Sequence, residues 1–204
     1  MKILIINTGV GNIDSIKNIL NRLGYESKIS DLEENFQEYN CFIIPGVGNF
    51  DRAIKELKKY KDYHLLINRK YMKNKLIIGI CLGMQILFQN SEEGVENGLG
   101  LLEGSVIKFN QKNIKIPHMG WNNVYGDNFF SDLNREKFYF AHSYYVDCDE
   151  KYVYAYCDYK IKFPAIVKSG NIYGIQFHPE KSNVNGLKLL KKILSENIKW
   201  YRKE

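Results

Sequence analysis

Leu76-Ile77-Ile78-Gly79-Ile80-Cys81-Leu82-Gly83-Met84-Gln85 runs from an apolar stretch into a cysteine with a glycine two residues to either side. An apolar run without polar alternates predicts a strand covered on both faces, as in a parallel sheet between helices. The Gly79-Ile80-Cys81-Leu82-Gly83 turn has the form of a nucleophile elbow, with cysteine where serine is common. Glycines suit that position because a sharp strand-to-helix turn crowds neighbouring backbone. Cys81 then stands at a helix amino terminus, where the dipole and unpaired N–H groups favour a thiolate. The plainer reading is a small packed thiol, since free cysteines are usually buried and inert. The placement between a buried strand and a helix favours the elbow.

The same grammar extends upstream. Residues 2–7 form an apolar run ending in a turn at Gly9 and Gly11; Ile13, Ile16, Leu20 and Leu23 then recur at helical spacing, with Gly24 as the stop. Cys41-Phe42-Ile43-Ile44 is a second strand, broken by Pro45-Gly46-Val47-Gly48, and Phe50, Ala53, Ile54 and Leu57 mark the next helix. The helix after Cys81 is expected to run through Gln85 to Phe88. Beyond residue 98 come short strand-like pieces at 104–109, 137–141, 151–157, 164–168 and 171–177, and a last helix on Leu187, Leu190, Leu194 and Ile198. The expectation is an α/β fold, a mainly parallel central sheet flanked by helices with an additional short β region, forming one domain over residues 1–204.

Composition narrows the functions. The charge is +6, from 29 Lys+Arg against 23 Asp+Glu. No polybasic tract or nucleic-acid motif accompanies it, and Lys188, Lys191, Lys192 and Lys199 fall on the polar face of the last helix, so neither a nucleic-acid nor a membrane partner is expected. No segment approaches the ~20 apolar residues of a membrane span. The first residues lack a signal peptide's longer apolar stretch and cleavage site. Cys41, Cys81, Cys148 and Cys157 are scattered without zinc spacing, so the expectation is a reduced, cytoplasmic protein with no metal and no cofactor.

A thiolate nucleophile needs a proton partner, and Gln176-Phe177-His178-Pro179-Glu180 supplies one. In an extended segment His178 and Glu180 share a face, so Glu180 can hold one ring nitrogen while the other serves the thiol. Acyl chemistry also needs donors for an oxyanion. The Leu82 N–H, just after the nucleophile, is one; the Pro45–Gly48 turn can bring a second backbone N–H.

Together, Gly79–Gln85 and Gln176–Glu180 resemble the class I (triad) glutamine amidotransferases. Pro45–Gly48, Pro117-His118-Met119-Gly120-Trp121-Asn122 and His142-Ser143-Tyr144 resemble, within that family, the glutaminase subunit of imidazole glycerol phosphate synthase. The resemblance implies a flavodoxin-like fold and hydrolysis of glutamine to glutamate and ammonia through a cysteinyl thioester. The ammonia passes to a cyclase subunit that makes imidazole glycerol phosphate and AICAR in histidine biosynthesis. It implies Cys81, His178 and Glu180 as the triad and Val47 and Leu82 as oxyanion donors. Gly48, Gln85, Glu93, Ser143 and Tyr144 are implied to hold glutamine, Glu93 facing the α-ammonium; a solvated acidic loop is the other reading of Glu93. Asn12, Trp121, Tyr139 and Lys181 are implied to face the cyclase in a heterodimer; the other reading makes Trp121 and Tyr139 core residues of short strands and Lys181 a solvated lysine.

Some features depart or stay open. Lys160 follows Tyr159 where the family often has a glycine turn. Phe50 and Tyr145-Val146-Asp147-Cys148 resemble a branch in which the same glutaminase feeds a cyclase-like partner for amidination of a surface sugar. A further alternative is a non-enzymatic flavodoxin-like regulator with a reactive elbow cysteine. His118 and His142 are read as structural or interface residues, His64 as surface or packing, and the other three cysteines as packed thiols.

Overall fold

Each apolar run becomes a strand, and the loops that follow the central strands meet at one edge. The computed structural model describes residues 1–9, 11–112, 114–126 and 128–201, with side chains for all but 128, 129 and 198–201. The side chains of Ile198 and Lys199 therefore lie outside the described residues. The chain runs β1 (Ile3–Ile5), α1 (Ile13–Arg22), β2 (Ser27–Ile29), β3 (Cys41–Gly46), α2 (Phe50–Leu57), the short α3 (Tyr63–Leu66) and α4 (Arg69–Met72), then β4 (Leu76–Cys81) and α5 (Leu82–Gln85). There follow β5 (Asn90–Ser91), β6 (Ser105–Lys108), β7 (His118–Gly126), β8 (Lys137–His142), β9 (Tyr144–Asp147), β10 (Val153–Asp158), β11 (Lys162–Ser169), β12 (Ile172–Ile175) and α6 (Asn183–Tyr201).

Among the described residues a nine-stranded sheet has the order β2-β1-β3-β4-β12-β11-β10-β7-β8. The first five strands run parallel and the rest antiparallel, so the expected β region is largely an extension of the same sheet. A separate three-stranded sheet joins β5, β6 and β9. Alternate residues of the parallel strands serve opposite layers, as a two-residue period requires. Ile3, Ile5, Ile43, Ile78 and Ile80 pack with α1 and α6 through Ile16, Leu20, Leu190 and Leu194. Leu4, Ile6, Phe42, Ile44 and Ile77 pack with α2 through Phe50, Ile54 and Leu57. Each such side chain, fully removed from water, contributes about 1.5–3 kcal/mol.

Register sets up the site. β4 lies between β3 and β12, with Gly46 beside Cys81 and Ile175 beside Ile80. All three run parallel, so their carboxyl ends present residues 47–48, 81–82 and 176–180 at one edge.

Several local expectations are corrected. The helix after Cys81 ends at Gln85 instead of Phe88. The carbonyls of Ile86, Leu87 and Phe88 are taken by the N–H groups of Leu99, Leu102 and Gly100, which competes with further helix. β2, β5, β7 and β9 were not among the strands expected. Their exposure alternates or is mostly intermediate, so none carries a buried apolar run. Cys41 and Cys157 are packed thiols in the core, and Cys148 is half-buried. Burial pushes the Cys157 and Cys148 thiols up to about 12.

Candidate active site

The elbow at Cys81 is set by contacts that exclude side chains. A Cβ on Gly83 would stand 1.6 Å from the Ile44 carbonyl oxygen, and one on Gly79 would stand 2.4 Å from the Gly83 oxygen. Both glycines let β3, β4 and the start of α5 approach closely. Cys81 itself is held at φ 55°, ψ −111°, a conformation that costs a side-chain-bearing residue about 1–3 kcal/mol. This turn lifts the side chain out of the strand and aims it at a cavity. Sγ lies 3.9 Å from the Ala141 carbonyl and 4.0 Å from Gln176 Nε2.

His178 and Glu180 meet behind the thiol, with Nδ1 2.8 Å from Glu180 Oε1 and both side chains almost fully buried. The route differs from the expected extended segment. His178 is extended, but Pro179–Lys181 is one turn of 3-10 helix. Proline suits the first position of a helical turn, because its ring presets φ and its missing N–H needs no partner there. Ser182 closes the turn, its hydroxyl donating to the His178 carbonyl at 2.6 Å. His178 Nε2 faces Cys81 without a well-formed hydrogen bond, and Glu180 Oε2 likewise has no hydrogen-bond partner among the described residues. Burial alone would lower the imidazole pKa; the Cys81 charge and Glu180 outweigh it and raise it to about 10. An imidazolium held beside a sulfur is what a thiolate–imidazolium pair requires.

The cavity beside Cys81 measures about 290 Å³ and is lined by Gly48, Leu82, Gln85, Glu93, Ser143 and Tyr144 together with Pro117, Met119, Ala141 and His142. All five residues expected to hold glutamine therefore meet on its wall. Gln85 is buried and donates from Nε2 to the Tyr144 carbonyl at 2.9 Å and to Gln176 Oε1 at 3.2 Å. Glu93 is not a loose acidic loop: its Oε2 accepts from the Phe50 N–H at 2.8 Å, and burial raises its pKa. Leu82 opens α5, where the first N–H groups have no partner within the helix. Gly48, at φ +103°, lines the cavity directly after Val47, which is 39% exposed.

Three of the four residues expected at a partner face form one surface cluster, with Trp121 and Lys181 exposed and Tyr139 half-buried. Trp121 on β7 pairs in register with Tyr139 on β8, their rings 6.1 Å apart, and Lys181 Nζ sits 5.7 Å from the Tyr139 ring centroid. Trp121 is 48% and neighbouring Met119 61% exposed, and Met119 also rims the cavity. Asn12 instead caps α1, its Oδ1 accepting from the Ser15 N–H at 3.3 Å. Gln176 joins Gln85 to the Cys81 sulfur and was not singled out by sequence reading. Its position two residues before His178, on the same strand extension, is the signal that could have found it. Among the described residues, no group of three or more His, Cys, Asp or Glu is arranged to hold a metal. No described helix is long and apolar enough to cross a membrane.

Known proteins resemble this chain in sequence and in fold. Imidazole glycerol phosphate synthase subunit HisH 2 of Methanococcus maripaludis is 41% identical over 201 residues, covering 95% of this chain and 99% of the relative. Imidazole glycerol phosphate synthase subunit HisH of Bacillus subtilis is 39% identical, covering 91% and 92%. A crystal structure of a glutamine amidotransferase superposes with a TM-score of 0.72 at 21% identity, covering 93% of this chain and 96% of that one. Another glutamine amidotransferase, from Thermotoga maritima, superposes with a TM-score of 0.63 at 17% identity, covering 100% and 85%. These two likenesses speak to the fold alone. The sequence pattern of the family "Glutamine amidotransferase class-I" matches residues 4–196, and the chain belongs to that family.

Proposed function

We propose that this chain is the glutaminase subunit of an imidazole glycerol phosphate synthase, and that Cys81, His178 and Glu180 are its catalytic triad. The observation that carries the reading is an elbow cysteine on the wall of a cavity, with the His178–Glu180 bond at 2.8 Å behind it. The Cys81 thiolate attacks the side-chain amide carbon of glutamine. Charge gathers on the amide oxygen, which the Leu82 and Val47 N–H groups receive. His178 gives its Nε2 proton to the amide nitrogen, which leaves as ammonia, and the acyl group stays on Cys81 as a thioester. A water then gives its proton to His178 and attacks the thioester, releasing glutamate and the thiolate. Glu180 accepts from Nδ1–H throughout, so Nε2 stays aimed at the reacting atoms. Gly48, Gln85, Ser143 and Tyr144 shape the head-group pocket, and Glu93 supplies the counter-charge for the α-ammonium.

The partner is a cyclase subunit, docked over Trp121, Tyr139 and Lys181, while Asn12 is assigned to the interface by the family resemblance alone. Aromatic residues flanked by a cation are common anchors in interfaces. Met119 belongs to that face and to the cavity rim, which supports ammonia crossing directly to the partner. The names of the relatives at 39–41% identity support histidine biosynthesis over surface-sugar amidination, and the head-group wall supports an enzyme over a regulator. A cytoplasmic location fits that pathway. The test is glutamate release from glutamine, alone and with an imidazole glycerol phosphate synthase cyclase subunit carrying its nucleotide substrate. Activation by that cyclase is expected; activation only by a sugar-pathway cyclase would transfer the chain to the other branch, and no turnover in either would end the enzyme reading.

A further inference from the structure

Two buried histidines have no part in that chemistry. His118 opens β7 and His142 ends β8, directly opposite in register, 2% and 6% exposed. Their hydrogen bonds allow one arrangement of protons. The Tyr144 carbonyl can only accept, so His142 Nδ1, 2.8 Å away, carries the hydrogen. Burial lowers both pKa values, to about 3 for His142 and about 4 for His118, so each ring is neutral. His142 Nε2 is then an acceptor, and His118 Nδ1, 3.0 Å away, donates to it. His118 Nε2 in turn accepts from Asn122 Nδ2 at 3.4 Å. The His118 ring is stacked between Tyr159 and Phe140, centroids at 4.0 and 4.7 Å, which opposes rotation.

The run of donors continues past Tyr144. Its carbonyl also accepts from Gln85 Nε2, Gln85 reaches Gln176, and Gln176 reaches the Cys81 sulfur. One carbonyl thus ties the histidine pair to the amide on the cavity wall. Its two lone pairs are both used, so loss of either donor frees it to turn.

We propose that His118 and His142 are positioning residues of the glutaminase reaction: the pair pins the Tyr144 carbonyl, and through it the Gln85 amide, in the shape that receives the glutamine head group. This rests on the glutaminase reading above. Removing the His118 donor leaves His142 Nε2 unpaired and its ring free to change tautomer, which loosens the head-group wall and leaves the triad untouched.

Two measurements test it. The first compares wild type, His118→Leu and His118→Asn in complex with the cyclase subunit. Asparagine keeps an N–H near the Nδ1 position; leucine does not. His118→Leu is expected to raise the glutamine KM about tenfold with kcat within about threefold, the scale of one lost buried hydrogen bond. His118→Asn is expected to bring KM back to within about threefold of wild type. A KM unchanged in His118→Leu, or a loss that His118→Asn does not reverse, overturns the proposal. The second is nitrogen-15 NMR of the imidazoles in the wild-type chain, which needs neither turnover nor a variant that folds. Two of the four histidines are expected as neutral Nδ1–H tautomers. A charged or Nε2–H ring at His118 or His142 overturns the proposal, while absent turnover alongside the expected tautomers counts against the glutaminase reading alone.

Discussion

Cys81 combines the proposed nucleophile with a conformational cost, and the two separate by mutation. Cys81→Ala and His178→Ala are each expected to lower glutamate formation by at least about a thousandfold, since members of a triad act as a unit. Cys81→Gly is equally inactive, but glycine adopts φ 55° without the side-chain penalty; thermal or urea unfolding is expected to find it about 1 kcal/mol more stable than Cys81→Ala. A result in which both variants unfold alike would mean the elbow stores no strain. Gly83 has the opposite sensitivity. Its missing Cβ is the space the Ile44 carbonyl occupies, so Gly83→Ala is expected to cost about 3 kcal/mol or more and to disable the elbow, measured by urea unfolding and glutamine turnover together.

Elements differ in how plainly the sequence announces them, and the reason is physical. β1, β3 and β4 are buried on both faces and so consist of apolar runs, and each was legible. β7, carrying His118-Met119-Gly120-Trp121-Asn122-Asn123, alternates buried and exposed positions, and its exposed aromatic belongs to a surface instead of a core. It carries no buried apolar run because Met119, Trp121 and Tyr125 lie on its exposed face and polar residues fill positions between them. The proposed triad stands out in the sequence because chemistry fixes residue types at short spacing within each of its two motifs, Gly79–Gly83 and His178–Glu180. Gln176 does not, because its role depends on a neighbour across the sheet. The turn between β10 and β11 shows local chemistry and tertiary demand in conflict. Lys160 stands at φ 59°, where glycine was the residue expected. Lys160→Gly is expected to raise stability by about 0.5–1 kcal/mol, the left-handed penalty less glycine's entropy in the unfolded chain, without changing glutamine turnover.

Across the whole molecule, buried histidines of opposite kinds bound the pH range of stability. His118 and His142 titrate near 4 and 3 when folded and near 6.5 when unfolded, so below pH 6.5 the unfolded chain binds more protons. Their contribution is complete above 6.5 and is lost as pH falls toward 4 and 3, at up to about 1.4 kcal/mol per pH unit for each ring. His178 has the reverse sign. Raised to about 10, it stabilises fully below 6.5 and ceases to do so as pH rises through about 10. Denaturant unfolding at pH 4, 6.5 and 10 is expected to give the greatest stability at the middle value. The alkaline loss is expected to shrink in Cys81→Ala, which removes the charge that holds the imidazolium. The central position of β12 has a consequence in time. It is a late segment in the chain, yet it fills the sheet between β4 and β11 and leads directly into His178. During synthesis Cys81 leaves the ribosome almost a hundred residues before its base, on a strand whose flank is still vacant. On the proposed mechanism the thiol meets its base only when β12 docks beside β4, so assembly of the sheet and assembly of the triad are one event.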